Sequence, residues 1–267
     1  MGRNLVYTLA LDRTGETGHR NLAKLLVSSL LRTRFTGDIL VFHNSPAPLF
    51  LVARDGVQEI HLDVTEETDD PREFAGCAQS RKHAVAEHID GAQYDRIMFI
   101  DCDALVLRNI DHLFADPCEF AVVCEPGTRI QMKPYCGYLT PAERASLNRD
   151  GLNSGTWAVD GSRLAELLAR WRAVEMQTPM QRDCMREQSA FNRVVLDWDG
   201  DVKVWPDHLI ALPFCNNRAA TFPVFTNAAI VHAAGGGLDD KLRFLFSLFA
   251  GTFLFDPQLL LFNVLEM

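Results

Sequence analysis

The sequence predicts an α/β fold with a mostly parallel central sheet. Apolar runs at residues 5–11, 38–43, 57–64 and 96–100 alternate with helix-like segments, the pattern of strands covered on both faces by crossover helices. At 267 residues and 48% hydrophobic, the chain can bury one large core. No internal repeat, low-complexity stretch or clear linker interrupts it. The expected organisation is one domain, 1–241, with an apolar C-terminal segment, 242–267.

Leu5 to Leu11 reads as strand one, closed by Asp12 and the polar loop "RTGETGHR". Asn21 to Leu31 places Leu22, Leu25, Leu26, Ser29 and Leu30 at helical spacing, so one face should pack inward. "DILVFH" (38–43) is strand two, and "NSPAP" after it is a loop forced by two prolines. "VQEIHLDV" (57–64) is strand three, Phe74 to Ile89 a helix stopped by Gly91, and Arg96 to Ile100 strand four. Beyond them, Phe120 to Val123 reads as a strand and "PGTRIQMKPYCGYLTPAER" as a long Gly/Pro-broken loop suited to a binding site. "GLNSG" (151–155) reads as a turn before a strand at Thr156 to Val159. Ser162 to Val174 and "REQSAFNRVVL" read as helices, and "DWDGD" as a hairpin turn before "VKVWP". Asp197, Asp199 and Asp201 alternate like a calcium loop, but Gly200 sits between the second and third acids and no Glu closes the loop.

A net charge of −9 without a Lys/Arg cluster argues against a nucleic-acid partner. Seven cysteines, with no C-x-x-C pair, are expected as reduced thiols of a cytoplasmic protein. Residues 1–11 carry one Arg, too short an apolar run and no small-residue cleavage site, so they are not read as a secretory leader.

The stretch with chemistry in it is "IMFIDCDALVL" (97–107), where two carboxylates interrupt apolar sequence. Residues two apart on a strand share a side, so Asp101 and Asp103 should converge beyond the C-terminal end of strand four, where ligands of open α/β sheets bind. Two converging carboxylates repel unless a positive charge lies between them, and a divalent cation such as Mg²⁺ or Mn²⁺ supplies one. Taken alone, the same pair also fits a helix cap beside a solvated acid.

Four stretches in order carry a resemblance. "IMFIDCDALVLRNIDHLF", "LNSGTWAVD" (152–160), "EQSAFNRVV" (187–195) and "IVHAAGG" (230–236) resemble signature elements of glycosyltransferase family 8, the glycogenin and lipopolysaccharide-galactosyltransferase group. The resemblance implies a GT-A fold and transfer of a sugar, with retention, from a nucleotide-sugar donor (a UDP-sugar) to an acceptor that the sequence does not identify. It implies Asp101, Asp103 and His232 as ligands of Mn²⁺ or Mg²⁺, and a mixed O/N set suits Mn²⁺ somewhat better.

It further implies donor contacts from Thr8, Leu9 and Ala10, from Asp101 and Cys102, from Asn153, Ser154 and Gly155, and from Gly235 in the glycine-rich stretch. Glu187 and Gln188 take the catalytic positions. Glu187 stands where the family has Asp, one methylene shorter. An amide such as Gln188 is a poor nucleophile, which favours same-face attack over a covalent intermediate. Arg81 or Lys82 would bind a phosphate or a sugar hydroxyl, although a solvated helix face accounts for them equally well. Lys241 would take a late phosphate-binding role, without the family's Lys-Pro-Trp context: "LDDKL" stands there instead.

Three other readings stay open. A haloacid-dehalogenase-type phosphatase needs Thr or Val where Leu105 stands. A sugar-nucleotide nucleotidyltransferase needs a Gly-rich basic loop that "RTGETGHR" only loosely approximates. A catalytically silent sugar-nucleotide-binding protein would be expected to have lost one of the three ligands. The segment 242–267 has three charged residues and five phenylalanines between 244 and 255, and Asp256-Pro257 breaks it below bilayer-spanning length. Apolar all round, it should be buried on several sides, against its own domain or in a homo-oligomer interface, with peripheral membrane or lipid-acceptor contact as the third option.

Overall fold

The computed structural model describes residues 3–50, 55–64, 71–85, 88–177, 186–206, 208–213 and 227–254. Its first half runs β1 (Asn4–Ala10), α1 (Gly18–Arg32), β2 (Asp38–His43), β3 (Val57–His61), α2 (Pro71–Ala84), β4 (Arg96–Ile100), β5 (Ala104–Val106) and α3 (Asp111–Phe114). Next come β6 (Phe120–Arg129), α4 (Lys133–Cys136), α5 (Pro141–Ser146), β7 (Asp150–Asp160) and α6 (Leu164–Met176). The last elements are α7 (Arg186–Leu196), β8 (Val202–Trp205), β9 (Ile210–Ala211), β10 (Ile230–His232) and α8 (Leu238–Phe249). Helices flank a seven-stranded sheet of order β3-β2-β1-β4-β7-β6-β8, and β5-β10-β9 form a second, three-stranded sheet.

The α/β class holds, but the sheet is less parallel than expected. β2/β3 and β6/β8 are parallel, whereas β6/β7 is antiparallel; in the smaller sheet β5/β10 is antiparallel and β9/β10 parallel. "GLNSG" is not a turn either: residues 151–155 lie inside β7, where pairing of Leu152 and Asn153 with β6 overrides their turn propensity. "DWDGD" joins helix α7 to strand β8 and is therefore no hairpin. Asp197 pairs with Arg193 and Asp199 with Arg163 at 2.9 Å, which accounts for two of its acids. The Gly/Pro-broken region is partly ordered, because β6 continues to Arg129 and α4 and α5 follow. A Thr140/Glu143 capping box starts α5. The helix expected to end at Gly91 stops earlier, and Gly91–Gln93 forms a separate turn capped by Asp90.

The chain divides into two compact units interleaved in sequence. One comprises 1–5, 64–99 and 116–207. Its core is aromatic: Phe99 stacks on Trp157, and Phe120, Trp171 and Phe191 pack around the indole. Arg96 is buried there because its guanidinium donates to the Asp116 and Cys118 carbonyls at 2.8 and 2.6 Å.

The other unit comprises 6–63, 100–115 and 208–267. The predicted face of α1 is buried. Ser29 belongs on that face because its hydroxyl donates to the Leu26 carbonyl and accepts from Val106 N–H at 2.9 Å. Asp12 ends β1 and caps α1, taking His19 and Arg20 N–H at 2.8 and 3.1 Å. α8 and the following turn bury Leu245, Phe249 and Phe253 while Phe246 stays half-exposed. Arg32 lies over the Phe249 and Phe253 rings. Phe255 and Asp256-Pro257 lie outside the described residues. Among the described residues, no helix is long and apolar enough to cross a membrane.

Candidate functional site

In the second unit, the Asp-Cys-Asp stretch follows β4 and leads into β5. β5 pairs antiparallel with β10 in a register that sets His232 opposite Ala104. The Ala233 N–H donates to the Asp103 carbonyl at 2.9 Å and fixes the end of that ladder. The pairing carries a histidine more than a hundred residues downstream to the carboxylates. His232 Nε2 lies 3.1 Å from Asp103 Oδ1 and 3.6 Å from Asp101 Oδ2. The three ligand atoms fall within 4.8 Å of one another.

Several features fit these three residues to a divalent cation. The imidazole is buried and its Nε2 faces both carboxylates. Two carboxylate oxygens and one imidazole nitrogen are donors that Mn²⁺ and Mg²⁺ accept. Lys241, one turn into α8, is the fourth member, with Nζ 2.6 Å from Asp103 Oδ2. Burial alone would raise the Asp103 carboxyl, but Lys241 and then His232 outweigh it and hold the group far below the ordinary carboxylate range. Burial likewise works to lower Lys241, and the Asp103 charge turns the shift upward. The Cys102 thiol is pushed well above its usual value by burial and the two flanking carboxylates. Gly235 and Gly236, after β10, both take positive φ (84° and 74°), a conformation that favours glycine.

In the first unit, a second group of predicted residues comes together. Between Val122 and Val123 of β6 the partner in β7 jumps from Trp157 to Asn153. Residues 154–156 therefore bulge from the ladder. Asn153 Oδ1 accepts the Gly155 N–H at 2.8 Å and satisfies part of the bulged backbone. The Ser154 hydroxyl donates to Glu187 Oε2 at 3.0 Å, and Gln188 Oε1 lies 3.4 Å from both the Ser154 N–H and its hydroxyl. Lys82 is buried on α2, 3.5 Å from Glu187 Oε1, with its ammonium 5.0 Å from the Phe99 ring centroid. For Lys82 this removes the solvated-face alternative. Thr8, Leu9 and Ala10 are buried in β1 and Arg81 is half-buried on α2. Neither group includes them.

Sequence reasoning missed Glu125. It is buried on β6, and its carboxylate accepts from the Tyr135 hydroxyl, from Asn153 Nδ2 at 2.5 Å and from Gln188 Nε2 at 3.4 Å. It therefore joins two predicted site residues. An acid closing the apolar strand "FAVVCE" was the available signal. Asn192 was missed too. Its amide bonds both backbone groups of Leu152, at 2.9 and 2.8 Å, and clasps α7 to β7, so it fixes where Glu187 and Gln188 stand.

No protein-family model matches the chain, and no curated protein matches its sequence. Among solved structures, it is similar to the apo structure of the bifunctional glycosyltransferase WbbM, with a TM-score of 0.62 and 14% identity. The match covers 91% of this chain and 50% of that one. The chain thus spans half the length of that protein and shares its fold.

Proposed function

We propose that the chain is a metal-dependent glycosyltransferase, akin to family 8, that moves a sugar from a nucleoside diphosphate donor, a UDP-sugar, to an acceptor with retention. The observation that carries this reading is the Asp101–Asp103–His232 cluster on a chain with the fold of a glycosyltransferase. In this reading Mn²⁺ or Mg²⁺ at the cluster neutralises charge on the departing diphosphate.

The chain's own groups have distinct tasks. Asp101, Asp103 and His232 hold the cation, and Gly235 lets backbone come close to phosphate. Thr8, Leu9 and Ala10 serve the base, while Arg81 serves a phosphate or a sugar hydroxyl. Asn153, Ser154, Gly155 and Gln188 read the sugar through amide, hydroxyl and backbone groups. Glu187, neutralised by Lys82, holds Ser154 in place. Gln188 carries an amide that cannot serve as an effective nucleophile, so same-face attack follows. The four free cysteines among the described residues fit a cytoplasmic enzyme.

The test is release of nucleoside diphosphate from a panel of sugar nucleotides, with and without Mn²⁺, after a thermal-shift screen selects the donor. Asp103→Ala should abolish turnover while the fold survives. Full turnover in excess chelator, or no sugar nucleotide that shifts the melting point, refutes the reading.

A further inference from the structure

We propose that Lys241 acts as a resident cation at Asp103 that prevents the cluster from holding a divalent ion by itself, so that ion and diphosphate load together. This rests on the glycosyltransferase reading and adds a loading rule to it. The ammonium of Lys241 lies 2.6 Å from Asp103 Oδ2 and is largely shielded from solvent. Its helix is anchored at both ends. Leu238 packs so tightly over Gly18 that a Cβ there would overlap it, and Leu245 and Phe249 are buried. The backbone that carries the lysine is therefore held in place beside Asp103.

The charges decide the consequence. The two carboxylates and the ammonium sum to −1, where the carboxylates alone give −2, and an imidazole that ligates a cation adds no charge. A divalent ion at the cluster makes the sum +1, with two cations sharing Asp103 a few ångströms apart. Like charges at that separation repel strongly in a partly buried site. A diphosphate carries at least two negative charges and can face both cations, which removes the imbalance. The ion alone is thus disfavoured, and the ion with its diphosphate is not.

This differs from a lysine that only grips phosphate, and the difference is measurable. Mn²⁺ alone is titrated against the protein by the paramagnetic resonance signal of the free aquo ion, and labelled UDP is dialysed at saturating Mn²⁺. Lys241→Met should bind Mn²⁺ alone about tenfold tighter than wild type and UDP about tenfold more weakly, within the usual range of site-to-site coupling. Lys241→Arg should restore weak binding of Mn²⁺ alone. If Lys241→Met does not fold, Lys241→Gln makes the same comparison. A variant that loses UDP but binds Mn²⁺ no tighter overturns the proposal and leaves a plain phosphate ligand. If Asp103→Asn binds Mn²⁺ and UDP as well as wild type, the metal reading fails and takes the proposal with it.

Discussion

Gly151→Ala is a demanding test of how the polar group around Glu125 is built. Gly151 lies in β7 under the ring of Tyr135, and a Cβ there would come within 2.5 Å of Cδ1 and 2.6 Å of Cδ2. Carbon atoms rest at about 3.5–4.0 Å, so the ring must retreat by about 1 Å or more. It has nowhere easy to go: Tyr135 is 2% exposed and packs with Ile130, Cys136 and Leu139. Overpacking of this kind costs about 1–3 kcal/mol. The retreating ring also pulls its hydroxyl from the Glu125 carboxylate, which keeps Asn153 and Gln188 as donors, and losing one hydrogen bond to a charged group costs about 1.5–3 kcal/mol more. The expected loss is about 2.5–6 kcal/mol, read as a lower denaturant midpoint at unchanged slope. Tyr135→Leu in the same background should relieve the overlap, so the double variant should lose less than the two single losses combined. A Gly151→Ala protein within about 0.5 kcal/mol of wild type, the range of an ordinary surface change, refutes the packing argument.

Two further predictions concern the scaffold around the candidate site. Asp12→Ala removes the carboxylate that caps α1, since the Thr17 side chain at the N-cap makes no capping bond to the helix backbone. It should cost about 1–2 kcal/mol in thermal or denaturant unfolding, and a loss under about 0.5 kcal/mol counts against the cap. Glu175 is buried, which alone would raise its carboxyl, but His83, Ser80 and Arg186 outweigh burial and lower it. A carboxyl lowered on folding adds stability above its unfolded value, and that stability is lost as pH falls through the folded one. Wild type should therefore lose stability from about pH 5 downward, and Glu175→Gln should flatten that acid limb. Parallel acid limbs in the two proteins rule Glu175 out as the cause.

How far the sequence discloses this molecule depends on how local the cause is. The strands at 38–43 and 96–100 and the helix over 186–196 were readable with their bounds, because apolar runs and helical spacing are local signals. The Asp101 and Asp103 pair was readable for the same reason, as it breaks an apolar run. His232 was reachable only through the family resemblance. The β5/β10 ladder that brings it to Asp103 is three residues long, too short to alternate visibly. "GLNSG" failed in the opposite direction. Its residues favour turns, yet pairing with β6 holds them in a strand, and the bulge between Asn153 and Trp157 keeps Ser154 off the ladder. The same misreading hid Glu125. Once "PGTRIQ" was read as a loop, the acid before it looked like a loop boundary, whereas it accepts bonds from Asn153 and Gln188. The antiparallel course of β6 and β7 followed from that as well. The region read as one long loop holds α4 and α5 and returns the chain beside the strand it left. The residues hardest to read were thus those whose conformation is fixed by a partner strand, and in the first unit these are the ones that carry the polar group.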